Sequence, residues 1–282
     1  MNVRRWPIPT LGCLVLLCQA AVPARADDPG IARKHHPWGR FQPGAWRSLH
    51  VVTETLDERG LVVHTSTSDK RTFLTKVDSD GVTLDVQSTV EVAGKRFETE
   101  PETQRQTFHG EPVGVAVKFE PGETEAVNVE IDGRKVPCRK WTFSYTTGNN
   151  GQKTTGALYF SETLAPYVLQ RRTTTNDAEG AAAIAETGFE TKALEIPWRA
   201  TGEIKTAAII KTTAVHAKGT TVTWSIISYD VPGGLLAEST KELDKNGRLA
   251  RRSTAELVDH GLECEEERIG PFRIRRRPRL RG

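Results

Sequence analysis

No run of apolar residues in this chain approaches the roughly 20 that a membrane-spanning helix needs. The longest, Leu11 to Cys18 (LGCLVLLC), is far too short. Also missing are a G-x-S-x-G elbow, an S-x-x-K pair, an HExxH helix, a G-x-x-x-x-G-K-[ST] loop and a dinucleotide fingerprint. Those absences remove the sequence-visible routes to nucleophilic hydrolysis, catalytic zinc and nucleotide binding. His50, His64, His109, His216 and His260 are scattered, and His35-His36 sits in a Pro- and Gly-rich stretch. The acidic group Glu263, Glu265, Glu266 and Glu267 shows no ligand spacing of the HExxH kind. A metal site wants three or four convergent ligands, and neither segment offers them. Gly233-Gly234 follows Pro232 and precedes a strand-like run rather than a helix start, so it reads as a turn and not a phosphate cradle. Paired carboxylates for glycoside cleavage converge only in space. The nearest group, Glu54, Asp57 and Glu58, lies at a hairpin where acidic residues are ordinary. The expectation is a protein that is not an enzyme, with no catalytic residue, metal or cofactor.

Cysteine is scarce too. Two of the four, Cys13 and Cys18, fall in a leader: Arg4-Arg5, the apolar run, then Ala24-Arg25-Ala26 as an A-x-A cleavage signature. The sequence therefore predicts a signal peptide over 1–26 and export to a periplasmic or extracellular compartment. In that oxidising setting the remaining Cys138 and Cys264 are a candidate disulfide. Cys138 lies beside Arg139 and Lys140, which would favour a thiolate, but no histidine or CxxC supports a reactive thiol. Removing the leader takes Arg4, Arg5 and Arg25 and leaves 36 cationic and 36 acidic side chains. Six of those cations, Arg273, Arg275, Arg276, Arg277, Arg279 and Arg281, crowd the last ten residues, so the body itself carries a net charge of −6. The tail over 271–282 is a candidate for docking on an anionic envelope surface. Nucleic acid is not expected as a partner, because it does not suit the compartment.

What the chain does have is strand chemistry. It contains 33 threonines, and β-branched side chains suit a half-buried pleated surface. Alternation of period two runs through Val113 to Phe119, Val127 to Ile131 and Trp141 to Tyr145. Turn chemistry separates the runs: Asp57 to Gly60, Asp80-Gly81, Asp132-Gly133, Asn150-Gly151, Asp177 to Gly180 and Asn246-Gly247. The pattern predicts an all-β antiparallel meander of about twelve to fourteen strands, strongly curved, as an incomplete barrel or two similar β units. The predicted layout is a flexible lead-in over 27–44 and a β domain over 45–270, with a sub-division near 197–202. Glu100 to Phe108 reads as a short helix or loop, and Ala181 to Ala185 as helix or hairpin.

Two stretches repeat one pattern. In "YFSETLAPYVLQRRTTTNDAEG", Tyr159 is followed by Pro166, an apolar strand and Gly180. In "WSIISYDVPGGLLAESTKELDKNG", Trp224 is followed by Pro232, an apolar strand and Gly247. Each unit reads as one supersecondary element stacked on its neighbour. Together with Trp46 on an early strand, these stretches resemble the exported β proteins of the lipoprotein-carrier type. That resemblance implies a curved sheet closing partway around a lipid-binding cavity. The chain departs from those carriers in lacking their concentration of Leu, Met and Phe, its one methionine being Met1. The functional expectation is an envelope protein binding a lipid-like ligand or an envelope protein on a concave sheet face. Trp46, Trp141, Tyr159, Tyr167, Trp198 and Trp224 are the ligand-facing candidates, and the Arg-rich tail is the alternative docking element. An unrecognised hydrolase site is a further alternative.

Overall fold

The computed structural model describes residues 31–108, 117–147, 152–177, 179–180 and 182–263. A single 3-10 turn, Arg33–His35, precedes the sheet. The first strands are β1 (Trp46–Leu56), β2 (Val62–Val77), β3 (Gly81–Val92), β4 (Lys95–Glu98) and β5 (Glu102–Thr107). Next come β6 (Val117–Ile131), β7 (Arg134–Thr147), β8 (Lys153–Phe160), β9 (Val168–Asn176) and β10 (Ala183–Ala200). The last are β11 (Glu203–His216), β12 (Gly219–Ile227), β13 (Leu235–Asp244) and β14 (Leu249–Gly261). They form one antiparallel sheet in the order β4-β3-β2-β1-β14-β13-β12-β11-β10-β9-β8-β7-β6, with β5 also on the outer edge of β3. The sheet is a meander that does not close into a barrel.

Covalent reach shows that it curls. Flat strands lie about 4.8 Å apart, so the twelve steps from β5 to β6 would span roughly 57 Å. The chain from Thr107 to Val117 can bridge only about 36 Å. The two edges must therefore swing toward each other. A second contact agrees: Arg134, at the β6–β7 turn, pairs with Glu195 of β10 at 3.0 Å. Strand β10 bends there through register shifts around Ala193. The bulge lets Leu194 bury with Val129, Ile131 and Leu169, while Ile196 and Trp198 pack with Leu49 and Leu257.

Local chemistry explains the turns. The Asp57 carboxylate accepts the backbone N–H groups of Arg59 and Leu61, both at 2.9 Å, and that of Asp244 accepts those of Asn246 and Arg248. Asp132 and Gly133 both take positive φ, 50° and 72°, as a two-residue hairpin requires.

Three readings change, and one open between helix and hairpin is settled. Residues Glu102–Thr107 are strand β5, paired along Gly81 to Val86 of β3, because tertiary pairing overrides a weak local pattern. The alanine run enters β10 at Ala183 as one arm of a hairpin. Residues 31–44, read as a flexible lead-in, are held down: Ile31 and Trp38 are buried, and at the entry to β1 Leu74 N donates to Ala45 O while Gly44 N donates to Leu74 O. At 197–202 the sheet is continuous, since β10 and β11 pair directly through Ala200 and Glu203.

The repeat is real at the level of hydrogen bonds, with a fixed offset of 67 residues. Ser161 N donates to Tyr167 O at 2.7 Å, and Ser228 N donates to Gly234 O at 2.7 Å. Tyr167 N reaches Leu164 O, and Gly234 N reaches Val231 O. Gly180 N bonds Asp177 O, and Gly247 N bonds Asp244 O. Both serines are buried, and so are the matched Leu169 and Leu236. In this register Tyr159 matches Ile226 rather than Trp224, and Pro166 matches Gly233 rather than Pro232. The aromatic-to-proline spacing of the sequence pattern is off by one or two positions.

Strand register sorts side chains onto two faces. One row runs directly opposite from strand to strand through Trp141, Leu158, Arg171, Phe189, Thr212 and Thr223. It continues through Thr240, Ser253, Thr53 and Ser66. We call this the inner face. The adjacent row on the outer face runs through Tyr159, Gln170, Glu190, Lys211 and Trp224. Charge lies mainly outside, where Glu190 pairs with Lys192 and Arg252 with Glu54.

Candidate ligand-binding site

The two equivalent loops, 161–167 and 228–234, lie against each other. The Tyr229 hydroxyl donates to Pro166 O at 2.7 Å, and the Tyr167 and Tyr229 rings meet edge to face at 5.0 Å. Burial pushes the Tyr229 hydroxyl well above its ordinary pKa, so it stays a donor. Across both loops runs a strap, residues 31–41. Its His35 ring stacks on Tyr167 at 4.3 Å, Gly233 N donates to Pro37 O, and the Trp38 ring covers Gly233. The strap is internally braced as well. His36 Nδ1 accepts the backbone N–H groups of Trp38 and Gly39 at 3.3 and 3.1 Å. Burial pushes its pKa down to about 4, so His36 is neutral at physiological pH.

Beneath the strap, on the inner face, is a cavity of about 430 Å³. Side chains from six consecutive strands, β8 to β13, line it, including Leu158, Val168, Phe189, Ile210, Ile227 and Leu235. Phe108, just after β5, reaches it from the opposite edge of the sheet, which is the curl seen from inside. The walls are mainly apolar, with Arg47, Arg171, Thr212, Ser225 and Glu238 as the polar groups at the inner-face side. Arg47 is fixed: its Nη1 donates to Gly233 O at 2.9 Å and its guanidinium stacks over Trp38 at 5.3 Å. Burial lowers its pKa to about 10, which still leaves it charged. Ser225 Oγ donates to Glu238 at 3.2 Å. A volume in the range of about 300–1,000 Å³ with apolar walls and a few placed polar groups is the usual form of a small-molecule site.

The six aromatic candidates do not gather here, and none of them is among the residues lining the cavity. Trp141 is buried beside it with Leu158, Phe160 and Ile31. Tyr167 stiffens the rim, in a left-handed conformation (φ 63°) where its equivalent in the other unit is Gly234. Tyr159 faces outward and packs on the cluster of Val129, Ile131 and Cys138. Trp224 is on the outer face, 44% exposed, with Lys211 over its ring. Trp46 is outer-face too, buried under Arg71 at 4.2 Å, and Trp198 packs near Val231 and Leu236. Phe189, Ile210, Tyr229 and Arg47 were not singled out from the sequence. Period-two alternation marks each as inward or outward on its own strand but does not say which strands meet.

Cys138 is buried on β7, and burial pushes its thiol up, the opposite of an activated thiolate. Cys264, the leader and the arginine tail lie outside the described residues. Among the described residues no group of three or more His, Cys, Asp or Glu is placed to hold a metal ion. No helix among them is long and apolar enough to cross a membrane.

No protein-family model matches this chain, and the search of curated proteins found no match. Among solved structures, it is similar to a protein of Bacteroides fragilis described as exported and as having a YmcC-like fold. The alignment covers 78% of this chain and 97% of that one, at 11% identity and a TM-score of 0.32. At that score too little geometry is shared for residues or roles to pass from one chain to the other, and the match does not tie this chain to the lipoprotein carriers.

Proposed function

We propose that this is an exported protein of the cell envelope that binds a small, lipid-like ligand in the inner-face cavity and is not an enzyme. The observation that carries the reading is the cavity itself. Six strands, the strap and Phe108 surround a mainly apolar space while only a few polar groups border it. Apolar lining left open to water is costly, at roughly 25 cal/mol per Å², and an apolar ligand removes that cost. Export rests on the leader pattern of residues 1–26.

The test is native mass spectrometry of the mature chain, residues 27–282, recovered after export. It is combined with displacement of a fluorescent fatty-acid probe. We expect a co-purifying ligand or saturable probe binding that Ile210→Trp, which puts an indole in the cavity, abolishes. A folded mature protein that carries no ligand and takes up no probe would refute the reading.

A further inference from the structure

We infer that the ligand is an amphiphile with an uncharged, hydroxyl-rich head, of which a glycosyl head is the fitting chemical class. This rests on the binding reading above and adds to it where the head lies. Thr212 lines the cavity. Directly opposite it, strand after strand, follow Thr223, Thr240, Ser253, Thr53 and Ser66, all half-buried on the inner face. Over five strand steps that row extends about 24 Å from the cavity. One row further along, Thr173, Thr187 and Thr221 sit on the same face. A hydroxyl trough thus leads out of an apolar chamber, and the chamber is what distinguishes it from threonines merely suited to strands.

The hydroxyl row itself, from Thr212 to Ser66, carries no charged side chain. Glu242 stands opposite Arg251 at 3.6 Å, and Glu238 accepts the Ser225 hydroxyl. Arg47 Nη1 is taken up by Gly233 O and its guanidinium lies over Trp38, its Nε being buried and without a hydrogen-bond partner, and the Arg171 guanidinium lies 5.4 Å over the Phe143 ring. A phosphate or carboxylate head is best held by forked, charged donors free to meet it. Sugar hydroxyls both donate and accept, and threonine and serine hydroxyls do the same. The outer face of the same strands mixes Ser239, Thr254 and Thr67 with charged residues such as Glu190, Lys211, Arg252 and Glu54.

The experiment uses the mature chain and three probes, each below its micelle-forming concentration: octyl β-glucoside, octyl phosphate and 1-octanol. Titration calorimetry should show octyl glucoside binding at least tenfold more tightly than either of the others. The double variant Thr223→Val/Thr240→Val removes two hydroxyls that bond each other at 3.0 Å, so neither leaves an orphan behind. It should bring octyl glucoside to the level of octanol and leave octanol unchanged. Octyl phosphate binding as tightly as the glucoside, or a glucoside preference that survives in the double variant, overturns the inference while cavity binding stands. If none of the three probes binds the folded wild-type protein, the binding reading falls and takes this inference with it.

Discussion

Two neighbouring glycines test whether the strap closes the cavity as described. Gly233 and Gly234 have almost the same backbone, φ 72° and 77°, so alanine at either position meets the same left-handed strain. That strain costs about 1–2 kcal/mol, less a few tenths recovered from the stiffer unfolded chain. Their surroundings differ. A methyl at 233 would lie 2.5 Å from Trp38 Cε2 and 2.6 Å from its Nε1, which no contact allows. A methyl at 234 would meet Pro37 at 3.6 Å, an ordinary distance. Gly233→Ala must therefore eject the Trp38 ring, which is 3% exposed, and with it the bond from Gly233 N to Pro37 O. Displacing a buried tryptophan costs roughly 3–5 kcal/mol, so Gly233→Ala should cost several kcal/mol against about 1 for Gly234→Ala. Urea denaturation gives the two stabilities, and hydrogen exchange at Trp38 and Gly39 reports whether the strap has lifted. Equal losses in the two variants, or unchanged protection of the strap amides in Gly233→Ala, would refute the reasoning.

The remaining predictions concern pH and packing. The folded pKa of His36 is depressed to about 4 against about 6.5 unfolded, so its contribution is fully present above 6.5 and fades as pH falls toward 4. Wild type should lose up to about 3 kcal/mol more than His36→Asn between pH 7 and pH 4, measured by denaturant unfolding at both values; parallel losses would contradict the assignment. Leu169→Ala and Leu236→Ala, at equivalent buried positions of the two units, should each cost about 2–5 kcal/mol. Trp224→Ala, on the exposed outer face, should cost under about 1 kcal/mol in the same assay. A large loss for Trp224→Ala would show that the face assignment is wrong.

The sequence by itself determined the class of the fold, because strand formation depends on local patterns. Alternation in Val127 to Ile131 and Trp141 to Tyr145 put both segments in strands, and the Asp-x-x-Gly turns fixed where hairpins reverse. The repeat around Ser161 and Ser228 was visible too, though only approximately. The eye aligns large residues such as Tyr159 and Trp224, while the conserved feature of the repeat is a set of backbone bonds offset by 67 residues. What only the tertiary structure decided was which surfaces meet. Tyr159 and Trp224 share an outer-face row, so the two most prominent aromatic candidates face away from the cavity. Residues 31–41 have no periodicity, because they satisfy their backbone through His36 and Gly233 rather than through a ladder. Their role as a strap therefore leaves no mark in local sequence. The cavity is likewise a product of curvature, set by the bulges of β10 and the short link from β5 to β6, which bring side chains far apart in the chain around one space.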